Sequence, residues 1–242
     1  MGTDANSLQT KNTVNFELSS REDNELFANI SSSVQLNDVS DPPNWERIAY
    51  YVDSKLPSGV SYCIPPISEN FVRTSLQQLS TNKATGLDDL SSYFLKIAAS
   101  SISPSLTAIF NLSISSGVFP DLWKTAKVSP LHKDGSLFDR SNYRPISVLA
   151  VVSKILERHV HQTFYYFLSQ HDLLLHSQFG FRSSRSCELA IADGLLLVDL
   201  KKAFDLVDHD TLLNKLRIYG CSHSTMVWFR SYLSGRSQKN PV

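Results

Sequence analysis

Asp199 lies near the end of an apolar run, LLLVDL at 195 to 200, where a carboxylate is expensive to desolvate unless it is paired, hydrogen-bonded or bound to a cation. Lys201, Lys202 and Asp205 follow at once. Carboxylate oxygens hold Mg²⁺ and ammonium groups neutralise phosphate, so the cluster suits a metal ion and a triphosphate. A plainer alternative fits the same spacing: the strand ends here, Asp199 caps the next turn, and the lysines are solvated.

Three other positions offer cations. Arg144 sits between Tyr143 and Pro145, and the proline restrains its backbone, so its guanidinium can be presented to a phosphate in a fixed direction. Lys133 belongs to the polar turn that precedes it. Arg182 and Arg185 share a turn with Gly180, Ser183, Ser184 and Ser186, where guanidinium and hydroxyl groups can both donate to a nucleic-acid backbone. An ordinary surface arginine is the commoner outcome for a residue such as Arg144, and Gly/Ser/Arg loops without any ligand are frequent. His159 and His161 fall on different faces of their helix and His209 opens another, so no metal-binding trio emerges.

The elements that must position these groups follow from periodicity. Residues 1 to about 66 are acidic and rich in Ser and Asn, with Asp41-Pro42-Pro43 and Leu56-Pro57-Ser58-Gly59 as breaks, and read as a partly disordered linker. From Ile67 the pattern turns helical: Phe71, Leu76 and Leu79 lie near one face, and Ser68 is the expected cap. Ser103-Pro104 predicts another helix start, with Gly117 ending that helix. Two short strands are predicted around Val128 and Ile146, flanking a turn at Asp134-Gly135, with Pro130 and Pro145 confining both to edge or loop positions. Leu156, Val160, Phe164 and Phe167 predict a packing helix over 153 to 169. The continuous run at 195 to 200 predicts a strand buried on both faces. A last helix is expected from Asp208 or His209, stopping at Gly220.

Composition narrows the class. At 242 residues and 42% hydrophobic, the chain can bury a core as one large domain or two modest ones. No apolar stretch approaches the roughly 20 residues of a membrane helix and the N-terminus is unlike a signal peptide, so a soluble, intracellular protein without a membrane partner is expected, nucleus and cytoplasm being indistinguishable. Cys63, Cys187 and Cys221 are odd in number and far apart, and are expected to be ordinary buried thiols with no disulfide partner. The net charge is +0, but residues 121 to 186 hold nine Lys/Arg against five Asp/Glu, whereas residues 1 to 60 hold four against nine. That locally basic middle fits a phosphate-binding groove and a solvated surface alike. Phosphate loops of the GxxxxGK[ST] type, GxSxG elbows and HExxH helices are absent from the sequence.

Taken in order, several strings resemble the reverse transcriptase of non-LTR, LINE-type retrotransposons: KATGLDDL at 83 to 90, GVFPDLWKTAKVSPLHKDG at 117 to 135, NYRPISVL at 142 to 149, SKILERHV at 153 to 160, SQFGFRSSRS at 177 to 186, VDLKKAFDLVDH at 198 to 209 and WFRSYLSGR at 228 to 236. The resemblance covers about residues 67 to 242. It implies an α+β fold, mainly helical here: right-hand polymerase fingers over 67 to 190 and the start of the palm over 191 to 242. By the same resemblance Asp199 is the first palm aspartate and a Mg²⁺ ligand, and Lys201 is a nucleotide contact. Phe204 would clash with a ribose 2′-OH and so favour deoxynucleotides. Lys133 and Arg144 would clamp the incoming dNTP, while Arg182 and Arg185 would touch the template. The implied partners are an RNA template, a DNA primer and a dNTP, and the implied chemistry is metal-assisted attack of a primer 3′-OH on the α-phosphate.

Two departures shape what is expected of these 242 residues alone. Between Glu188 and Leu195 only Leu189 to Gly194 stand where the family has a helix of several turns. The family's second metal motif, an aromatic residue followed by Ala and two aspartates, does not occur in the sequence. With one palm carboxylate of the expected set, two metal ions about 4 Å apart cannot be held, and no polymerase activity is expected from this polypeptide by itself. The competing readings are a non-catalytic RNA- or DNA-binding remnant, and a product that folds poorly because its palm strand has exposed edges.

Overall fold

A computed structural model describes residues 44–139, 142–176, 178–182, 185 and 207–239. Among them seven helices surround a small three-stranded sheet, the mixed α+β architecture expected. The helices are α1 (Trp45–Asp53), α2 (Glu69–Gln77), α3 (Ser92–Ile97), α4 (Ala99–Ser116), α5 (Ser153–Gln170), α6 (His209–Ile218) and α7 (His223–Leu233). The strands are β1 (Thr125–His132), β2 (Tyr143–Val148) and β3 (Ser237–Lys239), in the order β2-β1-β3.

Local chemistry sets most of the boundaries. Ser68 caps α2 by accepting from the Phe71 amide, as the sequence predicts, and Asp208 caps α6 by accepting from the Thr211 amide. Gly117 ends α4 with a φ of 69°, and Gly220 follows α6 with a φ of 88°, both in the left-handed region. The start of α4 differs from expectation. It begins at Ala99 rather than at Ser103, so Pro104 lies inside the helix. Ala99 is 2% exposed and belongs to the core, so burial holds the extra turn despite the proline's missing amide.

Residues 44 to 66, read from sequence as linker, contribute α1 and a stretch whose Tyr62 and Ile64 join the core. Tyr62 is tied there by its backbone: its amide donates to the Gly220 carbonyl and its carbonyl accepts from the Ser222 amide. Its hydroxyl meets the Thr163 hydroxyl at 2.7 Å, and burial pushes the phenol up to about 12. The core collects Val72 and Leu76 of α2, Phe110 of α4, Ile155, Leu156 and Val160 of α5, and Trp228 of α7. Phe164 and Phe167 pack at its margin, as their spacing predicts.

Aromatic rings join the two motifs at 117 to 135 and 228 to 236. Phe119 lies edge-on to Trp228 and Tyr232, with centroids 5.5 and 5.0 Å away, and Trp228 and Tyr232 stack nearly parallel at 5.4 Å. The Phe119 amide donates to Ser231 Oγ at 2.9 Å, and Trp228 Nε1 donates to the buried Ser113 Oγ at 3.1 Å. α7 therefore fixes the approach to β1, and β3, just after it, pairs in parallel with β1 from Thr125 to Lys127.

Of the cysteines described, Cys221 is buried, and burial pushes its thiol up to about 12. Cys63 is exposed, contrary to the expectation of a buried thiol, because the bridge at Tyr62 turns alternate side chains to opposite sides. Both are free thiols, and Cys187 lies outside the described residues.

Candidate nucleotide-binding face

β1 and β2 form an antiparallel ribbon whose register places Leu131 opposite Arg144 and Pro130 opposite Pro145. The Lys133 amide donates to the Asn142 carbonyl at 2.8 Å. Hydrogen-bonded pairs alternate along such a ribbon, so Leu131 and Arg144 form the next one and the two prolines face each other at a non-hydrogen-bonded position. Neither proline interrupts the ladder there. β2 is an edge strand, and β1 is central only over Thr125–Lys127, where β3 pairs with it, so among the described residues Pro130 has a partner strand on one side alone, as the sequence expectation has it.

Side chains alternate, so Lys127, Ser129, Leu131 and Lys133 share one face of the ribbon with Arg144, Ile146 and Val148. Lys239 of β3 pairs with Lys127 and joins the same face. Near the base Val148 is buried; toward the tip Leu131 is 57% exposed and Ile146 42%, and Lys133 and Arg144 are exposed. Among the described residues none of the four cations lies within 4.0 Å of a carboxylate. The face thus offers unpaired positive charge around an apolar strip. A nucleotide, with an anionic tail and a flat base, matches both properties.

The turn beyond the strands is held by its own polar groups. Asn142 Nδ2 donates to the Ser136 carbonyl at 3.0 Å and the Tyr143 hydroxyl to the Leu137 carbonyl at 2.9 Å. Gly135 has a φ of 79°, and a Cβ there would come within 2.6 Å of Asn142 Nδ2. On the opposite face the rings of His132 and Tyr143 meet edge-on at 5.2 Å, leaving His132 Nε2 buried without a partner. At the base, Gly86 of the KATGLDDL loop touches the end of β2, where a Cβ would lie 2.8 Å from the Ala150 nitrogen. That close approach gives the glycine of this motif its physical reason.

The remaining candidates are placed differently. Arg182 Nη1 donates to the Leu175 carbonyl at 2.8 Å, and the Arg185 guanidinium lies over the Phe179 ring at 5.0 Å from its centroid. Both arginines brace their own turn, and a guanidinium so held keeps further donors for a ligand. Asp199, Lys201 and Phe204 lie outside the described residues, as does the predicted strand from Leu195 to Leu200. Among the described residues no group of three His, Cys, Asp or Glu side chains is placed to hold a metal ion, so they do not by themselves fit one. No helix among them is long and apolar enough to cross a membrane.

Lys127 and Lys239 are the members of the basic face that sequence reasoning missed. Lys127 carries a weak signal, alternation with Lys133 along the predicted strand. For Lys239 nothing short of the β1–β3 pairing reveals it, since that pairing joins distant parts of the chain.

Residues 131–241 match the family model described as reverse transcriptase (RNA-dependent DNA polymerase). The chain is 31% identical over 200 residues to a putative 115 kDa protein in a type-1 retrotransposable element of Drosophila melanogaster, covering 76% of this chain and 19% of that protein. It is 29% identical over 219 residues to the RNA-directed DNA polymerase from the mobile element jockey of the same organism, covering 82% and 23%. A probable RNA-directed DNA polymerase from transposon BS, also of that fly, is 28% identical over 177 residues, covering 66% and 20%. The chain thus spans about a fifth of the length of these relatives.

Proposed function

Since this chain belongs to the reverse transcriptases of non-LTR retrotransposons, we propose that it supplies the fingers of such a polymerase and presents the β1–β2 face to an incoming dNTP. Lys133 and Arg144 take the triphosphate, with exposed Leu131 and Ile146 beneath the base. The observation that carries this reading is the register: Leu131 stands opposite Arg144, and Lys133 follows two residues on, so both cations share one face. Charge-assisted contacts to phosphate are among the stronger polar interactions, and a pair of cations on a rigid ribbon loses little entropy in making them.

Arg182 and Arg185 are proposed to touch an RNA template from their turn, and Lys201 and Phe204 to contact the nucleotide, Phe204 by excluding a ribose 2′-OH. Divalent metal is general to the reverse transcriptase family. In this chain Asp199 is its one proposed ligand. With a single candidate palm carboxylate, the polypeptide of residues 1–242 is proposed to bind nucleotide without extending a primer by itself.

Titration of a fluorescent dATP analogue tests the reading. Lys133→Ala and Arg144→Ala are each expected to weaken binding about tenfold or more, since a hydrogen bond to a charged group contributes roughly 1.5–3 kcal/mol. Arg217→Ala, on exposed α6, should leave it unchanged. Equal affinity across all four proteins would remove the nucleotide from this face.

A further inference from the structure

The two cations proposed to take the triphosphate are held differently. Arg144 lies within β2 and pairs with Leu131 across the ribbon. Lys133 is the first residue past β1, and the residue facing it, Asn142, is the last before β2. A full strand pair at that level would exchange two hydrogen bonds. Among the described residues one such bond forms, from the Lys133 amide to the Asn142 carbonyl at 2.8 Å, because the Asn142 amide turns away to the Asp139 carbonyl at 3.1 Å. Lys133 therefore hangs from the end of the ribbon by a single rung, and that rung is only as firm as Asn142.

What fixes Asn142 is its own side chain. Nδ2 donates across the turn to the Ser136 carbonyl at 3.0 Å, and the same carbonyl accepts from the Asp139 amide at 3.2 Å. Gly135, just before Ser136, leaves the space that this amide fills: a Cβ there would stand 2.6 Å from Nδ2 and 3.1 Å from Cγ. The glycine and the asparagine thus form one clasp. Asparagine suits the position chemically, because its amide gives a carbonyl a donor without bringing charge. Aspartate has the same shape, but it would set a carboxylate against the Ser136 carbonyl and opposite Lys133, where it would compete with phosphate for the ammonium.

We propose that Asn142 is the positioning residue for Lys133: its side-chain clasp on the turn holds the last rung of the ribbon and so aims the Lys133 ammonium at the phosphates that Arg144 also meets. Lys133 and Arg144 are diagonal neighbours, about 7–8 Å apart on such a ribbon, so a shift of the rung moves one cation relative to the other. As to the phosphates the proposal rests on the nucleotide reading above; the hold of Asn142 on Lys133 does not.

Two readouts on the full chain test it, one without nucleotide and one with it. In Asn142→Ala, hydrogen exchange at the Lys133 amide, followed by NMR, is expected to quicken at least about tenfold, while the Ile146 amide, deeper in the ladder, keeps its rate and so separates a loosened rung from lost folding. With the fluorescent dATP analogue, Asn142→Ala is expected to weaken binding about fivefold. That loss should vanish on a Lys133→Ala background and persist in full on an Arg144→Ala background, because a residue that acts through Lys133 has nothing to act on once that side chain is gone. A merely structural role would lower affinity alike on both backgrounds. Asn142→Asp, which keeps the shape and loses the donor, should bind no better than Asn142→Ala. An unchanged Lys133 exchange rate, equal losses on the two backgrounds, or wild-type affinity in Asn142→Asp would each overturn the proposal. If Lys133→Ala and Arg144→Ala both leave dATP affinity untouched, the nucleotide reading fails by itself, and the exchange rates alone decide whether Asn142 holds Lys133.

Discussion

Glu157 is mostly buried in α5 with Oε1 lacking a partner, and Arg236, which lowers its pKa from nearby, itself has an unpartnered Nη2. Burial dominates and raises the carboxyl above its ordinary range, against smaller lowering effects from Arg236, Ser153 and Lys154. Between the unfolded pKa and the raised folded one, the folded state therefore holds more proton than the unfolded chain. The associated stability is fully present below the unfolded pKa and is lost as pH rises through the raised folded value. Glu157→Gln, which keeps the shape and removes the charge, should raise the melting midpoint near about pH 8, with the advantage vanishing near about pH 4. Thermal melts of both proteins at the two pH values check this. A variant that melts lower at both would mean the charge is stabilising. Nothing in the sequence marks Glu157 as unusual, because SKILERHV reads as an ordinary amphipathic helix and the neighbour that matters, Arg236, comes from after α7.

At the scale of elements, α7 decides where the sheet sits. Its Trp228, Ser231 and Tyr232 grip Phe119 just before β1, and Arg236 lies over the Tyr232 ring at 4.1 Å and the Phe119 ring at 5.6 Å. Ser231→Ala leaves the Phe119 amide without its acceptor in a buried place, an error costing about 1–3 kcal/mol. Urea titration should show the midpoint falling with an unchanged slope. No change in midpoint would mean that water reaches this amide.

Several elements are legible in the sequence because their punctuation is local: Ser68 and Asp208 cap, Gly117 and Gly220 stop, and the 156–167 spacing is helical. The start of α4 is not legible in the sequence because Ser-Pro is a strong local start signal, whereas the core contact of Ala99 is not local. Residues 44 to 66 misled for the same reason: polar composition masked a helix and two core side chains, Tyr62 and Ile64.

For the whole molecule, the family strings act as joints as much as chemistry. Gly86 abuts the end of β2, Gly117 lies against Val227 and Trp228, and Tyr62 bridges to Cys221, so segments far apart in sequence brace one helical core and the ribbon beside it. Lys133 and Arg144 were legible as candidates from their motifs; that one face unites them with Lys127 and Lys239 needs the strand register, which no string displays. Asp199, Lys201 and Phe204 remain assigned by resemblance, outside the described residues. The central claim, that an incoming nucleotide lies on the β1–β2 face, is tested most directly by photolabelling the chain with an azido-dATP and mapping the labelled peptide. Saturable labelling is expected within 125 to 148, displaced by excess dTTP and lost when Lys133→Ala and Arg144→Ala are combined. Labelling confined to other segments, and indifferent to that double substitution, would contradict it.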